Sequence, residues 1–235
     1  MGGGGAASGR CALCQAKPEA VHSLMCETRV LRDGQALFRE GETADHMFMV
    51  VGGTLRQSIL LTDGREQVCS FAMADSLLGL DGLALRHYGT TALALGDARV
   101  CCLAYPRLTQ AMSGDATLQL AFYSMMSAEV VRNRQQLVTL ALHGAQARVA
   151  SFLLQQYTRR KSMGWPEREF TLAMPRGDIA SYLGLTIESV SRAFSAFQRE
   201  GVFRADGRML SGIDVEGLEK VCAGASTGRP RSNAS

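Results

Sequence analysis

The chain has 235 residues, of which 46% are hydrophobic and 20% charged, with a formal net charge of +3. These values are typical of a soluble globular chain with one or two domains. No run of eighteen apolar residues occurs, and the leading segment MGGGGAASGR lacks the hydrophobic stretch of a signal peptide. The sequence therefore argues against a membrane span or secretion and predicts a cytoplasmic protein.

Changes of pattern along the chain predict five segments. The glycine-rich start cannot bury enough surface to offset the cost of ordering, although one or two helical turns are expected at 19–25. In chain order we predict a flexible cysteine-containing leader (1–28), a β-barrel (29–113), a dimerisation helix (114–143), a winged helix-turn-helix domain (144–222) and a disordered tail (223–235).

Short apolar runs alternate with turn signals between residues 29 and 104. Asp63-Gly64 lies between two alternating runs, which is a strong signal for a hairpin. The predicted strands cover residues 36–38, 47–51, 55–61, 67–71, 91–95 and 100–104. Many short strands followed by helices indicate an α+β chain whose first domain is an antiparallel barrel or sandwich.

A long helix is predicted over residues 115–143. Its apolar seam has alternating spacings of four and three, as in a two-stranded coiled coil. The seam consists of Met126, Val130, Asn133, Leu137 and Leu140. This pattern predicts a homodimer, in which Asn133 would fix the register. The alternative is a helix packed on its own barrel, a role that suits Leu118, Phe122 and Met125 on neighbouring faces.

Two helices joined by a short turn are predicted between residues 176 and 201. The first has an apolar face at helical spacing, and Gly184 then permits a tight break. Thr186 is able to cap the second helix. The apolar face of the first helix comprises Ile179, Ala180 and Leu183, and that of the second Val190, Ala193, Phe194 and Phe197. The pattern is that of a helix-turn-helix, although two packed helices of any helical domain would share it.

The outward face of the second helix is polar or basic. It carries Glu188, Ser189, Ser191, Arg192 and Arg199. In the major groove of double-stranded DNA, Arg192 would pair with guanine, Glu188 with the amino group of cytosine, and Ser191 with a base edge or a phosphate. Residues 144–235 hold thirteen Lys and Arg against nine Asp and Glu, so positive charge collects on the half that carries this helix.

A β-hairpin, or wing, should follow the second helix. Runs at 202–204 and 208–210 flank the turn Asp206-Gly207. Arg204 and Arg208 would lie where a wing touches the DNA backbone. Two such units, related by the dyad of the long helix, would read half-sites about one helical turn (~34 Å) apart, so the operator should be an inverted repeat.

The segment MPRGDIASYLGLTIESVSRAFSAFQREG resembles the DNA-binding domain of the CRP/FNR family of bacterial transcription regulators. Its E-x-x-S-R at Glu188, Ser191 and Arg192 is similar to the FNR branch, in which the matching residues read a TTGAT half-site and its inverted copy. The resemblance covers about residues 29 to 222. It implies a barrel of the cyclic-nucleotide-binding type (a jelly roll) ahead of the dimerisation helix and the winged helix-turn-helix.

The family's cyclic-nucleotide pocket carries G-E-L followed by R-S or R-T, in which the Glu holds ribose hydroxyls and the Arg pairs with the phosphate. This chain has LLGLDGLALRHYGTTA in that region. No Glu follows Gly79, and Thr90-Thr91 stands where the Arg-Ser would be. A buried phosphate without its guanidinium is costly, so the sequence argues against cyclic-nucleotide binding.

The resemblance to FNR implies instead a [4Fe-4S] cluster that oxygen destroys, with four thiolate ligands. The matching residues here are Cys11, Cys14, Cys26 and Cys101. Cys26 departs from the family pattern because eleven residues, not five, separate it from Cys14, and a small buried apolar residue is the alternative reading of Cys26. Cys102 is an adjacent substitute for Cys101.

Other signals stay open. A direct thiol switch, a haem pocket for nitric oxide, or a C-x-x-C that holds nothing are the alternatives to the cluster. The remaining cysteines, Cys69 and Cys222, are expected in the core. The turn 62–65 resembles a loop that FNR-type activators press against RNA polymerase, although Arg65 stands where FNR has an acidic residue.

No enzyme motif accompanies these features. A catalytic metal in a cupin-type barrel would need paired histidines on facing strands. The four histidines, His22, His46, His87 and His143, are isolated and are expected to be solvated or structural. No Ser/His/Asp motif, P-loop or G-x-G-x-x-G occurs. A chain that binds only a small ligand or partner would leave the surface of Glu188, Ser191 and Arg192 unexplained.

Overall fold

A computed structural model describes residues 27–142, 144–166 and 169–226. The predicted helical turns at 19–25, the cysteine pair of the leader, Cys26 and residues 227–235 of the predicted tail lie outside these ranges. The tail was predicted to begin at residue 223, but residues 223–226 continue the last helix. The chain divides into two compact units, Met1–Arg132 and Asn133–Ser235. The division falls inside the long helix, so the last turns of that helix belong to the second unit.

The first unit is an antiparallel jelly roll of two four-stranded sheets. The strands are β1 (Glu27–Leu31), β2 (Ala36–Phe38), β3 (His46–Gly52), β4 (Leu55–Leu60), β5 (Glu66–Ala72), β6 (Leu77–Leu78), β7 (Thr91–Ala94) and β8 (Ala98–Ala104). One sheet has the order β1-β8-β3-β6 and the other β2-β7-β4-β5. The six predicted strands are confirmed, and the hairpin at Asp63-Gly64 joins β4 to β5.

Four elements of the first unit were not predicted. They are β1, β6, the single turn α1 (Gly82–Leu85) and the helix α2 (Tyr105–Ser113). Strand β1 begins at Glu27, inside the predicted leader. Strand β6 has only two residues, which is too short for a visible alternation. Helix α2 follows β8 directly, with Ala104 as its extended cap and a proline in its first turn, so no turn residue separates the strand from the helix.

The long helix α3 (Ala116–Ala141) begins where the Asp115 carboxylate accepts hydrogen bonds from the backbone N–H groups of Thr117 (2.9 Å) and Leu118 (3.0 Å). An apolar cluster between the barrel and the start of this helix, the outer core, includes Met49, Cys101, Leu118 and Phe122. Leu118 and Phe122 are buried, as predicted for the barrel-facing side of the helix. A separate cluster fills the inside of the barrel.

The second unit is a helical domain with a small sheet. Besides the end of α3 it contains α4 (Ala145–Ser162), β9 (Glu169–Thr171), α5 (Arg176–Leu183), α6 (Ile187–Arg199), β10 (Arg204–Asp206), β11 (Met209–Ser211) and α7 (Val215–Ser226). The sheet order is β10-β11-β9. The predicted helix-turn-helix is α5 and α6, and helix α7 follows the wing.

The wing is present, but its predicted register was wrong by two residues. Strand β10 begins at Arg204 rather than at Val202, and Gly207-Arg208 form the turn. Val202 and Phe203 are buried in the domain core and do not join the hairpin. The apolar pattern of the sequence does not distinguish a residue buried beneath a hairpin from one that lies within it.

Among the residues that the structure describes, no helix is both long enough and apolar enough to cross a membrane.

Candidate nucleic-acid interface

The turn between α5 and α6 is a glycine-terminated helix end. Gly184 adopts the left-handed conformation (φ 61°, ψ 42°), which carries a steric penalty for residues with a Cβ. The N–H groups of Gly184 and Leu185 close on the carbonyl oxygens of Ser181 (3.2 Å) and Ala180 (2.9 Å). The chain is thereby turned and enters α6 within three residues.

Thr186 caps α6 as predicted. Its Oγ1 accepts a hydrogen bond from the N–H of Ser189 at 3.2 Å and donates one to Ser189 Oγ at 3.0 Å. Glu188 lies in the same first turn. A hydrogen bond from its own backbone N–H, a hydrogen bond from Thr186 and the charge of Arg192 hold the pKa of the Glu188 carboxyl below its ordinary value. Glu188 is therefore a carboxylate at neutral pH and can accept hydrogen bonds.

One face of α6 is buried in the domain, and the opposite face is exposed to solvent. Val190, Ala193, Phe194 and Phe197 are buried, as predicted, and Ala196 joins them. Across the opposite face, Glu188, Ser191, Arg192 and Arg199 are all exposed. Ser189 is half-buried, and its hydroxyl also accepts a long hydrogen bond (3.4 Å) from Nη2 of Arg192. Ser189 thus contributes to the orientation of Arg192 within this helix.

Arg176 packs against the buried side of α6, a role that was not predicted from the sequence. Its guanidinium carbon lies 3.5 Å from the ring centroid of Phe194, and its Nη2 donates to the carbonyl oxygen of Gly207 at 3.4 Å. Partial burial lowers the pKa of Arg176. This arginine joins the wing turn to α6. In the sequence it looked like one more basic residue beside the helix pair.

The two wing arginines are both exposed. Arg204 opens β10 opposite Ser211. Arg208 lies in the turn, and its Nη1 donates to the carbonyl oxygen of Ala173 at 2.9 Å. That hydrogen bond fixes the turn to the segment after β9, so Arg208 is held while its guanidinium stays accessible.

A groove of ≈ 410 Å³ runs beside the exposed face of α6. It is lined by Gly144, Ala145, Gln146, Ala147, Ser189, Arg192, Ala193 and Val221. The start of α4 and the middle of α7 therefore border the same surface as Arg192. The sequence pattern held no signal for this, because residues 144–147 lie more than forty positions from Arg192.

Ile187, the first residue of α6, is 53% exposed. An apolar side chain at this position offers a contact to the methyl group of thymine in a major groove. Sequence reasoning missed it because only polar residues were considered for base contacts. The exposed start of the helix, next to Glu188, was the available signal.

The predicted seam of α3 is partly exposed and partly used inside the protomer. Val130 and Leu137 are 57% and 68% exposed, and Asn133 is exposed. Leu140 is half-buried, and Met126 packs against the outer core. Met126 therefore contributes to the barrel contact as well as to any seam. Further large apolar residues on α3 are also exposed, namely Leu120, Tyr123, Val131 and Val138.

The barrel region that the sequence compares with a nucleotide pocket contains several internal hydrogen bonds. The Asp81 carboxylate accepts hydrogen bonds from the backbone N–H groups of Gly82 (3.1 Å) and Gly89 (2.7 Å). Gln57 donates to Thr90 Oγ1 at 3.1 Å and accepts from Ser70 at 2.6 Å. An anion would meet a carboxylate and a neutral network here, which disfavours a cyclic phosphate.

Of the four cysteines proposed as cluster ligands, only Cys101 lies among the described residues. It is buried (2% exposed) in the outer core on β8, beside Thr28 of β1 and Met49 of β3. Cys102 points into the barrel cluster instead. His46 and His87 are exposed, and His22 and His143 lie outside the described ranges.

The expectation that Cys69 lies in the core was wrong, because Cys69 is exposed. In the β4–β5 ladder Gln57 pairs with Ser70 and Ser58 with Val68, so Cys69 is the extra residue of a β-bulge. Cys222 is half-buried against α4, with its sulfur 3.8 Å from the carbonyl oxygen of Ala147. Desolvation raises the pKa of the Cys69, Cys102 and Cys222 thiols.

The capped helix pair, the wing and the exposed polar face of α6 define a winged helix-turn-helix protein that binds DNA. Residues 147–221 match the Crp-like helix-turn-helix domain, and residues 28–115 match the cyclic nucleotide-binding domain. Both matches agree with the two units of the fold.

Three relatives extend the match over the whole fold. The transcriptional regulatory protein Btr of Bordetella pertussis is 33% identical over 203 residues, which cover 86% of this chain and 84% of that protein. The transcriptional activator protein FnrA of Stutzerimonas stutzeri is 33% identical over 207 residues, which cover 88% and 85%. The structure of FixK2 from Bradyrhizobium japonicum has a TM-score of 0.76 at 28% identity and covers 84% of this chain and 98% of its own.

The chain belongs to the CRP/FNR family of transcription regulators, in the FNR-like branch. Its relatives are regulators and not enzymes, and regulators of this family bind DNA and act as dimers. The resemblance noted at residues 174–201 is thereby confirmed.

Proposed function

We propose that this chain is a homodimeric regulator that binds inverted repeats of TTGAT-type half-sites and responds to oxygen or redox state. The observation that carries the DNA proposal is the face of α6 on which Glu188, Ser191 and Arg192 are all exposed. These residues lie three and four positions apart, so they share one side of a helix whose other side is buried.

Each side chain has a matching partner in the half-site. Arg192 would donate to O6 and N7 of the guanine, and Glu188 would accept from a cytosine amino group. Ile187 would contact a thymine methyl group, and Ser191 either a base edge or a phosphate. Arg199, Arg204 and Arg208 are proposed to contact the DNA backbone, which adds affinity without sequence information.

The dimer is proposed to form along α3. Tyr123, Val130 and Leu137 are exposed and lie seven residues apart, so they follow one line along the helix. A second copy of the same helix would cover this line and its exposed neighbours Leu120, Val131 and Val138. Asn133 and Leu140 would complete the seam, with Met126 shared between the seam and the barrel.

Binding to synthetic duplexes tests the DNA proposal. Wild-type protein should bind an inverted TTGAT repeat more tightly than a scrambled duplex of equal length at the same salt concentration. A symmetric change of the guanine in both half-sites should lower the affinity sharply. Equal affinity for the repeat and the scrambled duplex, with or without oxygen, would contradict the proposed operator.

For the signal, we propose a [4Fe-4S] cluster held by Cys11, Cys14, Cys26 and Cys101. Such a cluster would supply an oxygen-reactive group. Cys101 lies on β8 at the position that matches the distant cluster ligand of FNR. Strand β1 begins directly after Cys26 in the sequence, and its register sets Thr28 beside Cys101.

The remaining ligands would have to come from the leader. Within the residues that the structure describes, no three His, Cys, Asp or Glu side chains are grouped to hold a metal ion. The thiol-switch alternative is weaker for the described cysteines, because a raised pKa leaves little reactive thiolate at Cys69, Cys102 and Cys222. No contact among the described residues favours the haem alternative.

The outer core links Cys101 to the dimerisation helix. Cys101 packs in the same cluster as Leu118 and Phe122 of α3. A change in the position of β8 at Cys101 would therefore reach α3 through direct packing contacts, without passing through the inside of the barrel.

Protein purified without oxygen tests the cluster. About four iron and four sulfide ions per chain are expected, with visible absorbance that bleaches in air. Cys101→Ser should lower the iron content, whereas Cys69→Ser, a substitution at an exposed thiol, should leave it unchanged. A colourless wild-type protein without iron after reconstitution would exclude the cluster.

Contact with RNA polymerase is proposed at the turn between β4 and β5. The turn is exposed, and the Asp63 carboxylate pairs with Arg65 at 2.7 Å. This ion pair reduces the net charge that the loop offers. Arg65→Glu, which introduces the acidic residue found in FNR, should raise activation in a reconstituted transcription assay without changing operator affinity. No change in transcription would exclude this loop as the contact. A regulator with these partners would act in the cytoplasm.

A further inference from the structure

The C-terminal end of α5 is held by side chains from two other helices. Its last four carbonyl oxygens, those of residues 180–183, are all hydrogen-bonded. Two of them accept from the backbone of the Gly184 turn. Gln136 of α3 donates to the Tyr182 oxygen at 2.8 Å, and Arg148 of α4 donates to the Leu183 oxygen at 3.0 Å. Helix ends are usually satisfied locally or by water, so two long-range donors are notable.

Arg148 also holds the end of α3. Its Nε donates to the carbonyl oxygen of Leu142 at 3.1 Å, while its Nη1 reaches Leu183. One guanidinium therefore bridges the C-terminal ends of α3 and α5. Both ends carry partial negative charge from the helix dipole, which favours a cation between them.

We propose that Gln136 and Arg148 form a clamp that sets the position of the recognition helix relative to the dimer seam. The proposal rests on the dimeric DNA-binding function proposed above. Gln136 adjoins Leu137, an exposed residue of the seam, and Leu183 adjoins the Gly184 turn that leads into α6. Gln136 and Arg148 thus connect the end of α3 directly to the end of α5, which leads into α6. They act as positioning residues and do not themselves touch DNA.

The clamp is distinct from the contacts that keep the domain folded. Thr139 of α3 bonds to Ser151 at 3.0 Å and accepts from Gln155 at 3.1 Å, which holds α3 on α4. The rings of Phe152 and Tyr182 pack edge to face at 5.9 Å, which holds α5 on α4. Loss of the clamp should leave these contacts in place and loosen the angle of α5.

The distance between the two recognition helices of a dimer determines which spacing of half-sites is bound. One added base pair moves a half-site by about 3.4 Å and rotates it by about a tenth of a turn, which a rigid dimer cannot follow without loss. A dimer with a loosened clamp should tolerate this change. If Gln136 and Arg148 only stabilised the fold, their substitution would not alter the preferred spacing of half-sites. The spacing preference therefore tests the positioning role.

The experiment measures the affinity of full-length protein for inverted TTGAT repeats at the best spacing and at one base pair more or less. A duplex with a single half-site is included. Gln136→Met and Arg148→Met remove the clamp donors and keep the side-chain volume. Gln135→Met and Lys161→Met, at exposed positions on the same two helices, are the matched controls.

Each clamp variant should reduce the ratio of affinities between the best and the altered spacing by about fivefold, the equivalent of one hydrogen bond. The single half-site affinity should stay near that of wild type, and the control variants should retain the wild-type ratio. If a methionine variant fails to fold, Arg148→Lys, which lacks the forked guanidinium, or Gln136→Glu, whose carboxylate has no donor for the Tyr182 oxygen, replaces it with the same expectation.

Three outcomes separate the proposals. Folded clamp variants with the wild-type ratio would overturn the clamp alone, as would controls that lose the ratio equally. A wild-type protein that binds DNA without any spacing preference would overturn the dimeric operator and the clamp together.

Discussion

Substitution of Arg192 gives the most direct test of base reading by α6. Arg192→Ala should cost less than about 0.5 kcal/mol of unfolding free energy, because the side chain is exposed and its hydrogen bond to Ser189 is long, at 3.4 Å. The effect on DNA binding should be much larger. A bidentate arginine–guanine pair contributes about 1–3 kcal/mol of discrimination. A dimer on a palindrome loses two such pairs, so about 2–6 kcal/mol of binding free energy is expected to disappear.

The assay is a titration by fluorescence anisotropy at fixed salt, with operators in which each base pair is changed symmetrically. The wild type should discriminate strongly at the guanine, and Arg192→Ala should bind the original and the guanine-changed operator equally. Arg204→Ala, a wing substitution, should instead weaken all operators alike and reduce the salt dependence by about one ion per lost phosphate contact. Uniform loss for Arg192→Ala across all operators would refute the base contact.

Three further outcomes follow from the first turn of α6 and from the seam. Thr186→Ala should lower the unfolding free energy by about 1 kcal/mol because the Ser189 N–H loses its acceptor, whereas Thr186→Ser should not, as denaturant titration would reveal. Leu137→Asp should convert the dimer to a monomer in sedimentation, since a charge would enter the seam, and an unchanged mass would place the interface elsewhere. The lowered pKa of Glu188 predicts that discrimination for cytosine is constant between pH 7 and about pH 5. The contribution of the Glu188 carboxylate to this discrimination is complete above its ordinary pKa of about 4.3. It declines only as the pH falls through the lower pKa that Glu188 has in the folded protein. A loss of discrimination near pH 6 would contradict this prediction.

The strands and the helix pair could be predicted because their signals are local. Alternating apolar residues, Asp63-Gly64 and the Gly184–Thr186 break each depend on a few neighbouring residues. Cys69 was misplaced for the opposite reason. Its exposure results from a bulge against Ser58, a residue more than ten positions away, and alternation alone assigns a strand one regular register.

The contacts that support the site could not be predicted from the sequence. Arg176, Gln136 and Arg148 are ordinary polar residues in the sequence, and their partners are a ring or carbonyl oxygens of distant residues. Every residue has a backbone carbonyl oxygen, so no sequence motif indicates which one will accept a hydrogen bond from a distant side chain. The residues proposed to read DNA were accessible to prediction because they lie on one helix at a known spacing.

Asp81 has a consequence for what this regulator is able to ignore. Its carboxylate already accepts hydrogen bonds from the Gly82 and Gly89 amides, so a cyclic phosphate would meet negative charge at this place in the barrel. We therefore expect DNA binding to be unchanged when a cyclic nucleotide is added.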